Sequence, residues 1–148
     1  MDITRRSDYA CRILRAAYHS ENDCISVAEV AEKEGIPYAF ARSIQHDLVK
    51  SGLLKTIRGA HGGITLDCNP NNVTLFQVLE AVQGSVSIAT CVSDPEFCSK
   101  KTECVYHQVW RGVDKIIQDY LSAITLEKLF TKDVDHLAIL EAMESDAS

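Results

Sequence analysis

Four residues with metal-ligating side chains lie close together in this chain: Cys91, Cys98, Cys104 and His107, within A-T-C-V-S-D-P-E-F-C-S-K-K-T-E-C-V-Y-H. Three thiolates and an imidazole make one ligand set for a soft or borderline metal. Gaps of six, five and two residues separate them. That spacing is looser than the close cysteine pairs of structural zinc sites. Iron–sulfur clusters use thiolates, and some accept histidine. On chemistry alone an iron–sulfur site leads, and zinc, a thiol–disulfide switch and inert cysteines remain open. The spacing of Cys104 and His107 predicts both on one face of a helix, with Cys104 near its N-terminus, where the dipole favours thiolate. Cys91 and Cys98 fall in residues 85–103, a stretch with neither helical nor strand period. Structureless stretches of that length inside a small domain tend to be functional or disordered.

The elements before this stretch read as a DNA-binding module. Ala10, Ile13, Leu14, Ala17 and Tyr18 repeat at helical spacing and predict a helix over residues 7–20. Ser26-Val27-Ala28-Glu29 is a capping-box pattern, and Gly35 stops the helix it opens. Pro37 then starts a third helix to about residue 51, with Ala41, Ile44 and Leu48 facing inward. Two short helices joined by a glycine-containing turn match a helix-turn-helix. Residues 53–57 and 64–66 are short and β-capable, around the turn Arg58-Gly59-Ala60-His61-Gly62-Gly63. This predicts a β-hairpin placed as a wing. The expected class is mainly α with a small β-hairpin: a winged helix-turn-helix followed by a long C-terminal dimerisation helix.

In that geometry the third helix enters the major groove N-terminal end first. Tyr38, Ala39, Arg42, Ser43 and His46 are its outward candidates for DNA, and Arg58 and His61 are those of the wing. Arg42 can fork onto guanine, Ser43 can meet a base or a phosphate, and the wing pair can reach a minor groove or phosphate. Each also has a plain reading as a solvated surface residue.

Thr74-Leu75-Phe76-Gln77 repeats the capping-box pattern and predicts a helix ending near Gln83, with Gly84 as stop. A long helix follows over residues 103–122. Val105, Val109, Val113, Ile116, Tyr120 and Ile124 make one apolar stripe; Tyr106, Trp110, Ile117 and Leu121 make a second. So wide an apolar arc needs cover on more than one side. The same helix of a second copy supplies it in a homodimer; the competitor is a tail folded back through Leu137, Ile139, Leu140 and Met143. The divisions expected are 1–84 for DNA binding, 85–103 for the cysteine loop, and 104–148 for the dimerisation helix and tail.

Composition narrows the classes further. The chain has 148 residues, 46% of them hydrophobic, and a formal charge of −6. Residues 1–66 hold nine Lys/Arg against eight Asp/Glu, and residues 67–148 hold six against thirteen. Basic character is therefore concentrated where DNA contact is expected, and local patches matter more than the total. No apolar run approaches the ~20 residues of a membrane helix, and the N-terminus lacks a signal-peptide stretch. A cytoplasmic setting is expected, in which six cysteines are free thiols, ligands or redox groups rather than a disulfide framework. Cys11 reads as core, Cys24 as a turn residue and Cys68 as structural; none has a partner by spacing. An enzyme built on Cys104 and His107 lacks a third orienting group and a substrate pocket, and it would leave the wing unexplained. Neither a small-molecule substrate nor a membrane partner is expected.

The chain resembles the Rrf-type family of bacterial winged-helix regulators to about Phe130. The motifs are I-T-R-R-S-D-Y-A, A-E-K-E-G-I-P, I-R-G-A-H-G-G-I-T-L, C-V-Y-H-Q-V-W and I-T-L-E-K-L-F. The resemblance implies a dimer on near-palindromic promoter DNA, with an iron–sulfur cluster in the cysteine region tuning affinity. Cys91, Cys98, Cys104 and His107 match the IscR-like arrangement, which implies a 2Fe–2S cluster. Asp8, within S-D-Y-A, resembles NsrR-like members, where an aspartate donated by the other subunit completes a 4Fe–4S site that nitric oxide attacks. Asp8 also reads as an acid facing the N-terminus of its own helix. The cluster type stays open. So does the alternative of a cluster-free thiol–disulfide or zinc-dependent regulator.

Overall fold

The computed structural model describes residues 1–147. Its elements run α1 (Arg5–Tyr18), α2 (Val27–Glu34), α3 (Tyr38–Lys50), β1 (Leu54–Ile57), β2 (Gly63–Leu66), α4 (Leu75–Gln83), α5 (Thr90–Ser93), α6 (Val105–Ser122), α7 (Leu126–Phe130) and α8 (His136–Asp146). The class is the expected one: mainly helical with one antiparallel two-stranded hairpin.

The first three helices pack around Ala10, Ile13, Leu14, Val30, Ala41, Ile44 and Leu48, all buried. The expected inner stripes of α1 and α3 therefore face one another. Helix α1 begins two residues earlier than its apolar stripe predicts. Thr4 caps it by accepting the Ser7 N–H at 3.1 Å, so the polar Arg5-Arg6 pair forms the first turn. Helix α2 opens on Ser26, whose hydroxyl accepts the Glu29 N–H, and closes on Gly35 at φ 64°. That left-handed residue favours glycine.

The hairpin pairs Leu54 with Leu66 and Ile57 with Gly63. Its second strand also bonds Ile25 on its far side: Ile25 N–H donates to Ile64 O at 3.0 Å and Ile64 N–H to Ile25 O at 2.8 Å. A Cβ on Gly63 would lie 2.3 Å from the Ile25 carbonyl oxygen, so this close approach requires glycine. The wing base is thus fixed to the chain entering α2.

The C-terminal half returns to the body formed by the first three helices. The Leu75 N–H donates to Ile124 O at 2.8 Å, and the Leu126 N–H to Val73 O at 2.9 Å. Leu126 and Phe130 of α7 are buried in the main core. Tyr18 donates its hydroxyl to Glu127 at 2.9 Å, and His19 Nε2 meets Phe130 O at 3.2 Å. Helix α7, which follows α6, is therefore clamped to the end of α1. Among the described residues no helix is long and apolar enough to cross a membrane.

Candidate metal-ligand cluster and nucleic-acid interface

Residues 85–103 carry more structure than their sequence suggests. One helical turn, α5, forms over Thr90–Ser93, so Cys91 sits on a helix rather than on loop backbone. Sequence period cannot reveal so short an element, because four residues complete barely one turn. The stretch is held at its start by Asp114 of α6, which accepts the Ser87 hydroxyl and, at 2.9 Å, the Ile88 N–H. Nothing local marks Asp114 for this role, since its partners lie 26 and 27 residues away.

The Cys91 Sγ lies 3.4 Å from His107 Nδ1, which brings α5 against the first turns of α6. Cys104 differs from expectation. It is the N-cap of α6, with φ −89° and ψ 114°, so the same-face argument from helical spacing does not apply to it. Cys98 lies between α5 and α6. All three cysteines are free and half-buried, and His107 is half-buried. Among the described residues, no three His, Cys, Asp or Glu side chains converge closely enough to hold a metal ion. The donor chemistry nevertheless fits an iron–sulfur centre: three half-buried free thiols and a histidine that one of them, Cys91, already meets.

Asp8 is exposed on α1 and pairs with Arg12 at 2.9 Å, in the i,i+4 relation. The other thiols stand apart from this region. Cys11 packs against the core, and burial followed by the Asp8 charge pushes it up to about 11. Burial likewise raises Cys68. Cys24 donates its thiol to the His61 carbonyl at 3.1 Å, which ties the turn before α2 to the wing tip.

Tyr38, Ala39, Arg42, Ser43 and His46 are all exposed along one side of α3, and Arg58 and His61 are exposed at the wing. The helix and wing thus present one polar surface with two arginines. Arg42 donates to Gln45 Oε1 at 3.0 Å, and Gln45 donates to Thr56 of β1 at 3.4 Å. Recognition helix and wing are cross-linked by side chains. Arg6 is the residue that spacing alone would miss. It reaches from α1 to Asp47 and Ser43 of α3, and its guanidinium stacks over Phe40.

Helix α6 has no buried residue of its own. Val105, Tyr106, Val109, Trp110 and Ile116 are 38–68% exposed. The folded-back tail provides partial cover: Ile139 of α8 is buried, while Leu137 and Leu140 stay exposed.

Comparison with known proteins places this arrangement. The model of a family described as "Rrf2: Iron-dependent Transcriptional regulator" matches residues 3–132. The chain is 31% identical over 147 residues to the HTH-type transcriptional regulator IscR of Vibrio campbellii, covering 99% of this chain and 86% of the relative. Against IscR of Pectobacterium atrosepticum it is 32% identical over 130 residues, covering 87% and 79%. Among solved structures, T. potens IscR superposes with a TM-score of 0.70 at 23% identity, covering 90% of this chain and 89% of that one. CymR, the global cysteine regulator of B. subtilis, gives 0.67 at 23%, covering 91% and 99%. At those identities the structural likeness speaks for the fold alone.

Proposed function

The chain belongs to the Rrf2 family of DNA-binding transcriptional regulators, and from that premise we propose a cytoplasmic homodimer whose promoter affinity is set by an iron–sulfur cluster. Cys91, Cys98, Cys104 and His107 would hold it, with Asp8 of a second copy as the alternative fourth ligand. The observation that carries this reading is the 3.4 Å approach of Cys91 to His107. The IscR relatives support it in addition. When bound, the cluster supplies a centre that oxidants, nitric oxide or iron shortage can dismantle.

The chain's own residues do the rest. Residues 1–84 read DNA, residues 85–103 carry thiol ligands, and residues 104–148 pair the subunits and return the tail. The exposed face of α6 is where two copies pair. Tyr38, Ala39, Arg42, Ser43 and His46 enter the major groove of double-stranded promoter DNA, and Arg58 and His61 reach the adjoining backbone or minor groove. Asp114 fixes the start of the cysteine stretch to α6. Ligation by the three thiols and His107 would fix its remainder. That changes where α6 sits against the reading heads, and hence the distance between half-sites. A coupling of about 1–3 kcal/mol, typical of allosteric proteins, suffices.

One observation favours a second reading without a cluster. Cys98 and Cys104 are not gathered around the Cys91–His107 pair, which suits a thiol–disulfide regulator; a zinc-dependent one would need those ligands brought together as a cluster does. Anaerobic reconstitution with iron and sulfide separates the two. The proposal expects coloured protein with stoichiometric iron and sulfide, and a Cys98→Ala variant that stays folded and loses the colour. A wild-type protein that stays colourless, or a variant that keeps full colour, overturns the ligand assignment.

A further inference from the structure

A run of hydrogen bonds joins the end of α4, which Gly84 alone separates from the cysteine-bearing stretch, to the recognition helix. It begins at Gln83, the last residue of α4. Its Oε1 accepts the Ser7 hydroxyl at 2.7 Å and the Thr4 N–H at 3.4 Å, while its Nε2 donates to the Asp2 carbonyl at 3.3 Å. Ser7 is wholly buried. Thr4, the cap of α1, accepts the Ser7 N–H at 3.1 Å and donates its hydroxyl to Ser7 Oγ at the same distance. The start of α1 is thus tied to the end of α4 by side chains as well as by packing. A buried hydroxyl that loses its acceptor finds no water to replace it. A small displacement of the α4 terminus therefore carries the first turn of α1 along rather than breaking the bond.

Arg6 sits beside Ser7 on that turn and points to α3. Its Nε donates to Asp47 Oδ2 at 3.2 Å, and its Nη2 reaches the same oxygen and Ser43 Oγ, the latter at 3.0 Å. The guanidinium carbon lies 5.7 Å from the Phe40 ring centre, and the Tyr9 ring meets Phe40 edge-on. Phe40, Ser43 and Asp47 follow one another at i, i+3 and i+7, a single face of α3. A planar guanidinium held at three points transmits orientation as well as distance. Ser43 accepts from Arg6, so its own proton is left to donate elsewhere, as to a phosphate or a base-edge acceptor.

We propose that this stitch, from Gln83 through the first turn of α1 to Arg6, Ser43 and Asp47, carries the state of the cysteine-bearing stretch to the recognition helix. Gln83 and Arg6 are positioning residues in it, and neither needs to touch DNA or metal. The inference rests on cluster-controlled DNA binding as proposed above.

The test is a mutant cycle in the full chain. Wild type, Gln83→Ala, Gln83→Glu, Arg6→Gln and the double variant Gln83→Ala/Arg6→Gln are each prepared loaded and stripped. Fluorescence anisotropy reads their affinity for a DNA fragment selected by the wild type from a random pool. Wild type should show a loaded-to-stripped affinity ratio in the roughly 5–150-fold range of allosteric couplings. Gln83→Ala should bring that ratio to within about twofold of one while iron per chain and visible absorption stay at wild-type values. Gln83→Glu, which retains an acceptor for Ser7 and Thr4, should keep most of the ratio. Arg6→Gln should act like Gln83→Ala, and the double variant should lose no more than either single one. Arg6→Gln should also leave the salt dependence of binding unchanged, because Asp47 rather than phosphate holds its guanidinium. A salt slope lower by about one would make Arg6 a phosphate contact and overturn its positioning role. A wild-type ratio of one removes the underlying reading and this inference together. A large wild-type ratio that Gln83→Ala retains removes this inference alone.

Discussion

Replacing Asp114 with alanine should release the start of the cysteine-bearing stretch. Its carboxylate accepts both the Ser87 hydroxyl and the Ile88 N–H, and among the described residues no other acceptor meets the Ile88 N–H. Hydrogen bonds to a charged group contribute about 1.5–3 kcal/mol each when shielded. Asp114 is half-buried, so the low end applies, and two bonds contribute about 3 kcal/mol together. At 1.4 kcal/mol per factor of ten, local opening should become about a hundredfold more frequent. Amide hydrogen exchange reads this at Ile88, followed by mass spectrometry or NMR on the stripped full chain. Exchange at Ile88 should accelerate by between ~10-fold and ~100-fold in Asp114→Ala, and by less in Asp114→Asn, which keeps an acceptor oxygen. The amides of Ala10 and Leu14 in α1 should not change. Ile88 exchange within about threefold of wild type in Asp114→Ala would refute the reasoning.

Other consequences are equally open to measurement. Wild type should sediment as a dimer, and Val109→Asp combined with Ile116→Asp, which puts charge on the exposed face of α6, should sediment as a monomer; a variant that stays dimeric would place the interface elsewhere. Gly63→Ala forces a Cβ to within 2.3 Å of the Ile25 carbonyl. Overpacking of that kind costs about 1–3 kcal/mol, so its thermal midpoint should fall by several degrees and its DNA affinity should drop with the displaced wing. Cys11 is raised from 9.0 to about 11, so the folded state favours its neutral thiol. The stability this provides is full below pH 9 and is lost as pH rises through about 11. Denaturant titrations across that window should show stability falling in wild type and a shallower fall in Cys11→Ala.

Most of the architecture is legible in local signals. Ser26 and Thr74 cap helices, Gly35 and Gly84 end them, and the stripes on α1 and α3 become the core, because each signal acts over three or four residues. The glycine-rich turn likewise marks the wing. What escapes is what distance in sequence hides. The start of α1 at Arg5 is set by Thr4 and by Gln83, which lies 79 residues from Thr4. The turn at Thr90–Ser93 is too short to show a period and is placed by contacts with α6. Cys104 sits outside the helix that its spacing to His107 suggests, because the helix begins one residue later. Arg6 looks like any basic residue until its partners 37 and 41 positions on are known. The candidate DNA-facing residues were readable because exposure on α3 follows from the burial of Ala41, Ile44 and Leu48.

An inorganic centre held by this chain should alter its grip on DNA. One titration asks that directly: anaerobically reconstituted and chelator-stripped protein, compared on the same selected promoter fragment at one salt concentration. Dissociation constants differing by about fivefold or more are predicted. Equal constants for the two preparations would contradict it.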